Sequence, residues 1–481
     1  MSYIYKERIG DAWCEAVGGN TWDVLNPATE EAILTVPFGD ARDCRAAIDA
    51  AHAAFPAWSN RTAYERAALL LRAASLMRER AAELARTTVL ESGKPLVQAR
   101  GEWLVAADLY EWFAEEGKRA YGRWVPSRVP SKRELVLRQP LGVVGMITAW
   151  NFPAYNVARA ASAALAAGCT LVIRPSEYTP MTAMEMVNLL VEAGMPPGVV
   201  NLINGDPESM GREMLDNPWC AKIHFTGSQR VGKLLMDGAS KTVTRLSLEL
   251  GGNAPVLIFP DADMAQLAAG AVAAKFRNAG QVCVSPQRFL VHERVAEAFT
   301  EQVVASVAKL KLGEGLDPET NVGPLINARQ RDRVEKLVIE ATAAGAHAVA
   351  GGGRPIDRTK GYFFEPTVLT GAPPRGDLFR EEVFGPILPI ASFHETDEAI
   401  ELANSTRYGL SAYVWTRDLH LALRVAERLA FGLVGVNEWA PQSTEVPFPG
   451  WKESGLGNES GAEGLDEYLE RKVIALGGFT V

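Results

Sequence analysis

The stretch 141–252 constrains the fold most, because it repeats one rhythm, a short apolar run and then a helical segment. Val143-Val144-Gly145-Met146-Ile147 precedes an Ala-rich helix predicted over 157–167. Leu171-Val172-Ile173 precedes a helix over about 181–193, Val199-Val200-Asn201-Leu202 precedes a shorter one, and Ile223-His224-Phe225 comes last. Short apolar runs alternating with helices build a parallel sheet covered on both faces. Ligands in such sheets bind beyond the carboxyl ends of the strands, where 148–151, 174–177 and 226–232 fall.

After Asn253 a second α/β pattern starts with 256–259, a long helix predicted over 264–278, and 289–291, and runs on to about 447. It predicts a second sheet holding Cys283 opposite the first. Upstream, Cys44, Ile48, Ala51 and Phe55 form one helical stripe. A second helix over 64–90 is stopped by Ser92-Gly93-Lys94-Pro95. Residues 121–140 have no helical period; prolines and charges among Trp124, Val129 and Leu135 predict extended chain reaching away from the body. The tail 465–474 ends in a predicted strand.

With 481 residues the chain has room for two or three cores. A net charge of -9 without basic blocks excludes nucleic acid or an anionic membrane as the main partner. Five dispersed cysteines predict free thiols in a reducing compartment. With no signal-peptide core at 1–8 and no membrane-length apolar run, the expected location is the cytoplasm. The six histidines show no ligand spacing, so no catalytic metal is expected.

Two motifs carry chemistry as a pair. Phe276-Arg277-Asn278-Ala279-Gly280-Gln281-Val282-Cys283 offers a soft nucleophile, and Leu248-Glu249-Leu250-Gly251-Gly252-Asn253 offers a carboxylate base. A lone cysteine is ordinarily a small buried hydrophobe, and a lone glutamate before glycines an ordinary turn residue. There is no GxGxxG. Instead Phe225-Thr226-Gly227-Ser228-Gln229-Arg230-Val231-Gly232 follows a strand and opens a helix, whose free N–H groups attract pyrophosphate. Glu177, after Arg174-Pro175-Ser176, is placed to accept from ribose hydroxyls and repel a 2′-phosphate, which favours NAD with NADP as the alternative. The plain reading of both segments is a capped helix and a solvated turn.

Six blocks in order, Asn151-Phe152-Pro153, Pro175-Ser176-Glu177, Phe225-Thr226-Gly227-Ser228, Glu249-Leu250-Gly251-Gly252, Gly280-Gln281-Val282-Cys283 and Glu382-Val383-Phe384-Gly385-Pro386, resemble the aldehyde dehydrogenase superfamily over essentially the whole chain. The resemblance implies an α/β fold of two parallel-sheet domains with a small β oligomerisation domain, assembled as a homodimer or homotetramer. It divides the chain into an NAD-binding domain (1–120 and 141–251), a catalytic domain (252–450) and bridging segments (121–140 and 451–481). It implies oxidation of a small aldehyde to a carboxylic acid through a thiohemiacetal and thioester on Cys283, with Glu249 as water-activating base and Asn151 holding the oxyanion. Losing one oxyanion donor typically costs roughly 3 kcal/mol of barrier.

The cofactor set implied is Thr148, Ala149, Trp150, Arg174, Ser176, Glu177, Gly205, Phe225, Thr226, Gly227, Ser228, Val231, Leu250, Gly251, Glu382 and Phe384, with Glu382 on the nicotinamide ribose. Within the superfamily the chain resembles the succinate-semialdehyde dehydrogenase branch. There Arg159, Arg277 and Ser443 match the positions that bind the distal carboxylate. Arginine's planar fork suits a carboxylate. The plain reading of Arg159 is a helix or interface residue. Departures from that branch are Ala160 for Lys, Arg174 for Lys, Ala149 and Pro449 at turn positions, Asn458 for Arg, and Ser285 where some relatives carry a second cysteine. An Arg-Ala pair at 159–160 also resembles aromatic-aldehyde dehydrogenases, which makes a benzaldehyde-type substrate the rival. Outside this chemistry the rivals are acyl transfer to coenzyme A, which the base at 249 opposes, and a structural or binding protein that keeps the fold.

Overall fold

The computed structural model describes residues 3–479. Met1 and Ser2 of the N-terminal reading, and the last two residues of the 451–481 segment, lie outside them. The 141–252 rhythm folds as expected. Strands Val143–Ile147, Thr170–Arg174, Val200–Leu202, Cys220–Thr226 and Arg245–Glu249 run parallel in one sheet. The edges differ from a purely parallel sheet. The N-terminal strands Glu7–Ile9 and Ala12–Cys14 and the late strand Gly455–Leu456 pair antiparallel to it. The second sheet orders His347–Ala350, Thr367–Thr370, Ile387–Phe393, Pro286–His292, Ala254–Ile258, Ser411–Trp415 and Leu433–Val436, with only His347–Ala350 antiparallel. Each sheet has its own apolar core, as its near-continuous apolar strands require.

The helices follow from their caps and stripes. Ala41–Ser59 starts from a capping box made by Asp40 and Asp43 and buries Cys44, Ala47, Ile48 and Ala51. Ala63–Ser92 starts from Thr62 and Glu65 and stops at Gly93, whose φ of 76° suits a residue without Cβ. Leu96–Glu116 was not anticipated, yet Ala99, Trp103, Ala106, Tyr110 and Phe113 recur at helical spacing and are fully buried. The helix predicted from 157 begins at Pro153, since proline is pre-set for a first helical position. The one predicted to 278 ends at Phe276, for a reason given below. Residues 121–140 and the tail do form extended chain: Arg123–Val125, Arg133–Pro140 and Leu469–Leu476 make a three-stranded antiparallel sheet. Trp124 and Val473 stand exposed on it. Among the described residues no helix is long and apolar enough to cross a membrane, and all five cysteines are free.

One buried ion pair ties the unanticipated helix to the sheet edge. Lys94 pairs with Glu102, and both side chains are almost wholly buried. Lys94 Nζ also donates to the carbonyl of Asn151 (2.7 Å). Glu102 accepts from the backbone N–H groups of Ala154 (2.8 Å) and Tyr155 (3.2 Å), satisfying the start of the Pro153 helix. Removing one partner of such a pair strands the other charge. Lys94→Met should therefore lower the unfolding free energy by about 3–5 kcal/mol, read from the urea midpoint; an unmoved midpoint contradicts this role.

Candidate active site

Thr226 and Glu249 are register partners at the carboxyl ends of two adjacent parallel strands. The chain then turns through Gly251 and Gly252. A Cβ on Gly252 would lie 2.3 Å from the carbonyl oxygen of Cys283, so this glycine lets the cysteine segment pack against the turn. The cysteine arrives by an unusual path. Asn278, Ala279 and Gly280 are consecutively left-handed, with φ of 48°, 53° and 75°. That run ends the helix two residues before the sequence pattern does. At the two non-glycine positions this costs of order 1–3 kcal/mol each and persists only when the surroundings hold it. Here Asn278 Nδ2 donates to the carbonyls of Asn151 (2.9 Å) and Gln281 (3.3 Å). Gln281 Oε1 accepts from Ile326 N–H (3.0 Å). Cys283 therefore sits on a braced turn ahead of strand Pro286–His292, not within the sheet where the sequence pattern put it.

Two cavities meet at this turn. One, of about 530 Å³, is walled by Val105, Phe152, Tyr155, Val284 and Phe448. The other, of about 440 Å³, opens between the two sheets' strand ends. Cys283, Glu249, Asn151 and Thr226 line both. The first cavity also brings together Arg159, Arg277 and Ser443, the three residues matched to a distal carboxylate. Their surroundings differ. Arg277 lies over the Phe152 ring (4.9 Å) and forms no ion pair among the described residues. Arg159 is buried against Glu459. Ser443 hydrogen-bonds the Glu445 carboxylate and so helps hold it below the usual carboxylate range.

Burial sets the electrostatics. It pushes the Cys283 thiol well above its ordinary value, and the neighbouring Glu249 charge pushes the same way. Burial raises Glu249 to about 8, while Arg159 and the hydrogen bond with the thiol pull it back. Glu249 Oε1 makes no hydrogen bond. Asn151 is oriented from both ends: Nδ2 donates to Gln281 O (3.1 Å) and Oδ1 accepts from Asn156 (3.2 Å). That leaves one Asn151 amide N–H without a partner among these bonds, on the cavity surface it shares with Cys283.

The second cavity holds Ala149, Trp150, Thr226, Gly227, Ser228, Leu250, Gly251, Glu382 and Phe384 of the expected cofactor set. Its donors suit a dinucleotide. Ser228 caps the helix Gln229–Ala239, whose first N–H groups face the cavity that Arg329, Arg333 and Arg407 also line. Glu382 accepts from Gly252 N–H (3.0 Å), and burial raises it to about 7. Trp150 and Phe384 meet edge to face at 5.5 Å. Thr148, Arg174, Ser176, Glu177, Gly205, Phe225 and Val231 lie outside this lining. Arg174 donates to Gly205 O (2.7 Å) and pairs with Glu177 (2.9 Å). That pairing removes part of the charge by which Glu177 was to repel a 2′-phosphate.

Several contributors escaped the sequence reading. Arg333 Nη2 donates to the carbonyls of Glu382 (3.0 Å) and Val383 (2.7 Å), and Gln330 to that of Phe384 (2.6 Å). These bonds hold Phe384 at a left-handed φ of 46°. Nothing in the sequence around 330 marks it as serving 382–384; a non-glycine left-handed residue is legible only in three dimensions. Lys94 was read only as part of a helix stop, and Glu102 lies on the helix that the sequence pattern did not reveal.

The Aldehyde dehydrogenase family matches residues 13–474 of the chain. Succinate-semialdehyde dehydrogenase [NADP(+)] GabD of Escherichia coli (strain K12) is 44% identical over 99% of this chain and 99% of its own length. Glutarate-semialdehyde dehydrogenase of Pseudomonas putida is 43% identical over 97% of each. The crystal structure of succinate-semialdehyde dehydrogenase from Burkholderia pseudomallei superposes with a TM-score of 0.97 at 44% identity, covering 99% of this chain and 98% of that one. The chain belongs to the aldehyde dehydrogenase family.

A base must lose its proton before it can draw one from water, and Glu249 is held near 8 by burial. Turnover should therefore rise with pH through about 8 and then level. A kcat–pH profile checks this, and an acid limb at the ordinary glutamate value of about 4.3 contradicts it.

Proposed function

We propose that this aldehyde dehydrogenase oxidises a short carboxylated semialdehyde to the dicarboxylic acid, with NAD or NADP, through a thioester on Cys283. One observation carries the reading: the apolar cavity and the dinucleotide-suited cavity meet at Cys283, Glu249 and Asn151. The names of the Escherichia coli, Pseudomonas putida and Burkholderia pseudomallei relatives support a semialdehyde, and none of them supports the aromatic rival. Arg277, a cation in the aldehyde cavity that forms no ion pair among the described residues, is assigned to the distal carboxylate, with Ser443 in the same cavity.

The chain's own groups then have these tasks. Cys283 reacts as the thiolate, its proton released to solvent through the cavity, and the sulfur adds to the aldehyde carbon. The resulting alkoxide is held by the free Asn151 amide N–H and the Cys283 backbone N–H. The bound dinucleotide supplies the hydride acceptor. Glu382 and Gly251 would hold its ribose, Trp150 and Phe384 its ring, and Thr226 to Ser228 with the helix start its pyrophosphate. Once the carbon on sulfur is a thioester, Glu249 draws a proton from water, which attacks and releases the acid.

We assign 1–120 with 141–251 to cofactor binding, 252–450 to catalysis and 121–140 with 451–481 to bridging, with a homodimer or homotetramer formed through the exposed arm sheet in the cytoplasm. Trp124 and Val473 on that sheet support such an interface.

Glu249→Gln should give one NADH burst per active site and then turn over at least about a hundredfold more slowly, since general-base loss costs 10²–10⁴. Absence of a burst gives Glu249 another task. Arg277→Ala should raise KM for succinate semialdehyde about 10–100-fold, the worth of a charge-assisted pair, and leave benzaldehyde kinetics alone. An unchanged KM removes the carboxylate assignment.

A further inference from the structure

Helix Leu96–Glu116 turns one face toward the aldehyde cavity: Gln98, Glu102, Val105 and Asp108 recur at helical spacing, and all of them line it. Most of that face is accounted for. Glu102 is taken up by Lys94 and by the N–H groups of Ala154 and Tyr155. Asp108 pairs with Arg78 (2.7 Å), and the Val105 side chain carries no polar atom. Gly101, on the same wall, has no side chain, and nothing lies within 4 Å of where its Cβ would be. Gln98 is different. Its Oε1 accepts the backbone N–H of Asn278 (2.8 Å). A backbone N–H can only donate, so this bond fixes which end of the amide is which. Nε2 forms no hydrogen bond among the described residues, and the side chain is half-buried in the cavity wall. Asn278 directly follows Arg277, so the Gln98 amide lies against the peptide bond that joins them.

We propose that Gln98 is a further substrate-binding residue: Nε2 donates to the distal carboxylate that Arg277 attracts, while Oε1 holds the first residue of the left-handed run leading to Cys283. A carboxylate offers about four acceptor sites, so a guanidinium on one side leaves room for a second donor. The identity of residue 98 matters. Glutamate there would accept the Asn278 N–H equally well, but it would set a negative charge beside Arg277 and against the incoming carboxylate. The N–H therefore accounts for Oε1, and the substrate accounts for Nε2. The bond to Oε1 has its own task. Asn278 is buried at a φ of 48°, and a buried N–H without an acceptor is costly. One side chain thus keeps the far end of the substrate and the turn carrying the nucleophile in register.

The inference rests on the carboxylated-semialdehyde reading, and its test separates the two. The full-length enzyme with NAD is assayed on succinate semialdehyde and on butanal, which has as many carbons and no carboxylate. Gln98→Glu keeps an acceptor for the Asn278 N–H and turns the donor into a charge. It should raise KM for the semialdehyde, relative to KM for butanal, by at least about tenfold, the worth of one charge-assisted hydrogen bond. Gln98→Met removes both ends of the amide. It should lower kcat on both aldehydes by about 10–100-fold, since a small displacement of a reacting group costs up to about 10²-fold. The kcat on butanal should recover when glutamate stands there instead of methionine. A KM ratio in Gln98→Glu within about twofold of the wild-type ratio overturns the proposal, and this variant decides the binding role by itself. A Gln98→Met enzyme with wild-type kcat on butanal overturns the hold on the turn. A wild-type enzyme that takes butanal as readily as the semialdehyde refutes the carboxylated-substrate reading, and the inference falls with it.

Discussion

A thiol and a carboxyl packed together in a buried junction cannot both be charged cheaply, and much of the site's construction answers that constraint. Burial alone drives both Cys283 and Glu249 toward their protonated forms. Arg159, enclosed by aromatic rings and anchored by Glu459, is the compensating charge. The backbone pays for the same closeness elsewhere: three consecutive left-handed residues deliver the cysteine, and a glycine pair at 251–252 lets it approach the turn after Glu249.

That junction unites what would otherwise be two independent α/β bodies. Each sheet has its own core, and the groups assigned to the reaction come from the carboxyl end of the first, where parallel sheets leave room for ligands, and from the turn ahead of strand Pro286–His292 in the second. Polar ties then brace each side of the junction. Lys94 and Glu102 reach from helix and turn to the Asn151 segment, and Arg333 and Gln330 hold the 382–384 loop over the cofactor side. Such buried bonds act chiefly to fix geometry, since a donor left unmatched there would be costly.

The sequence was most readable where one force dominates. Four of the five parallel strands of 141–252 are apolar because both faces are covered, so their positions were legible to within about three residues, whereas Arg245–Glu249, which begins with an exposed arginine, was not. The six blocks led to Cys283, Glu249 and Asn151, and the structure places these three on one surface. Legibility failed where packing overrides local pattern. The helix Leu96–Glu116 follows a proline-marked stop and carries charged residues on its outer side, so its buried stripe was overlooked. The antiparallel edge Gly455–Leu456 is only two residues long, too short to show a period. Arg159 illustrates the limit within the site. Its ion-pair partner Glu459, three hundred positions along, is legible only in three dimensions.

The central claim, that oxidation proceeds with the acyl group held on the sulfur at the meeting of two cavities, is tested most directly by mass spectrometry. The Glu249→Gln protein is mixed with semialdehyde and NAD, acid-quenched within the burst and digested. The account predicts the acyl mass on the peptide containing Cys283 and on no peptide containing Cys14, Cys44, Cys169 or Cys220. A burst of NADH with an unmodified Cys283 peptide would contradict it.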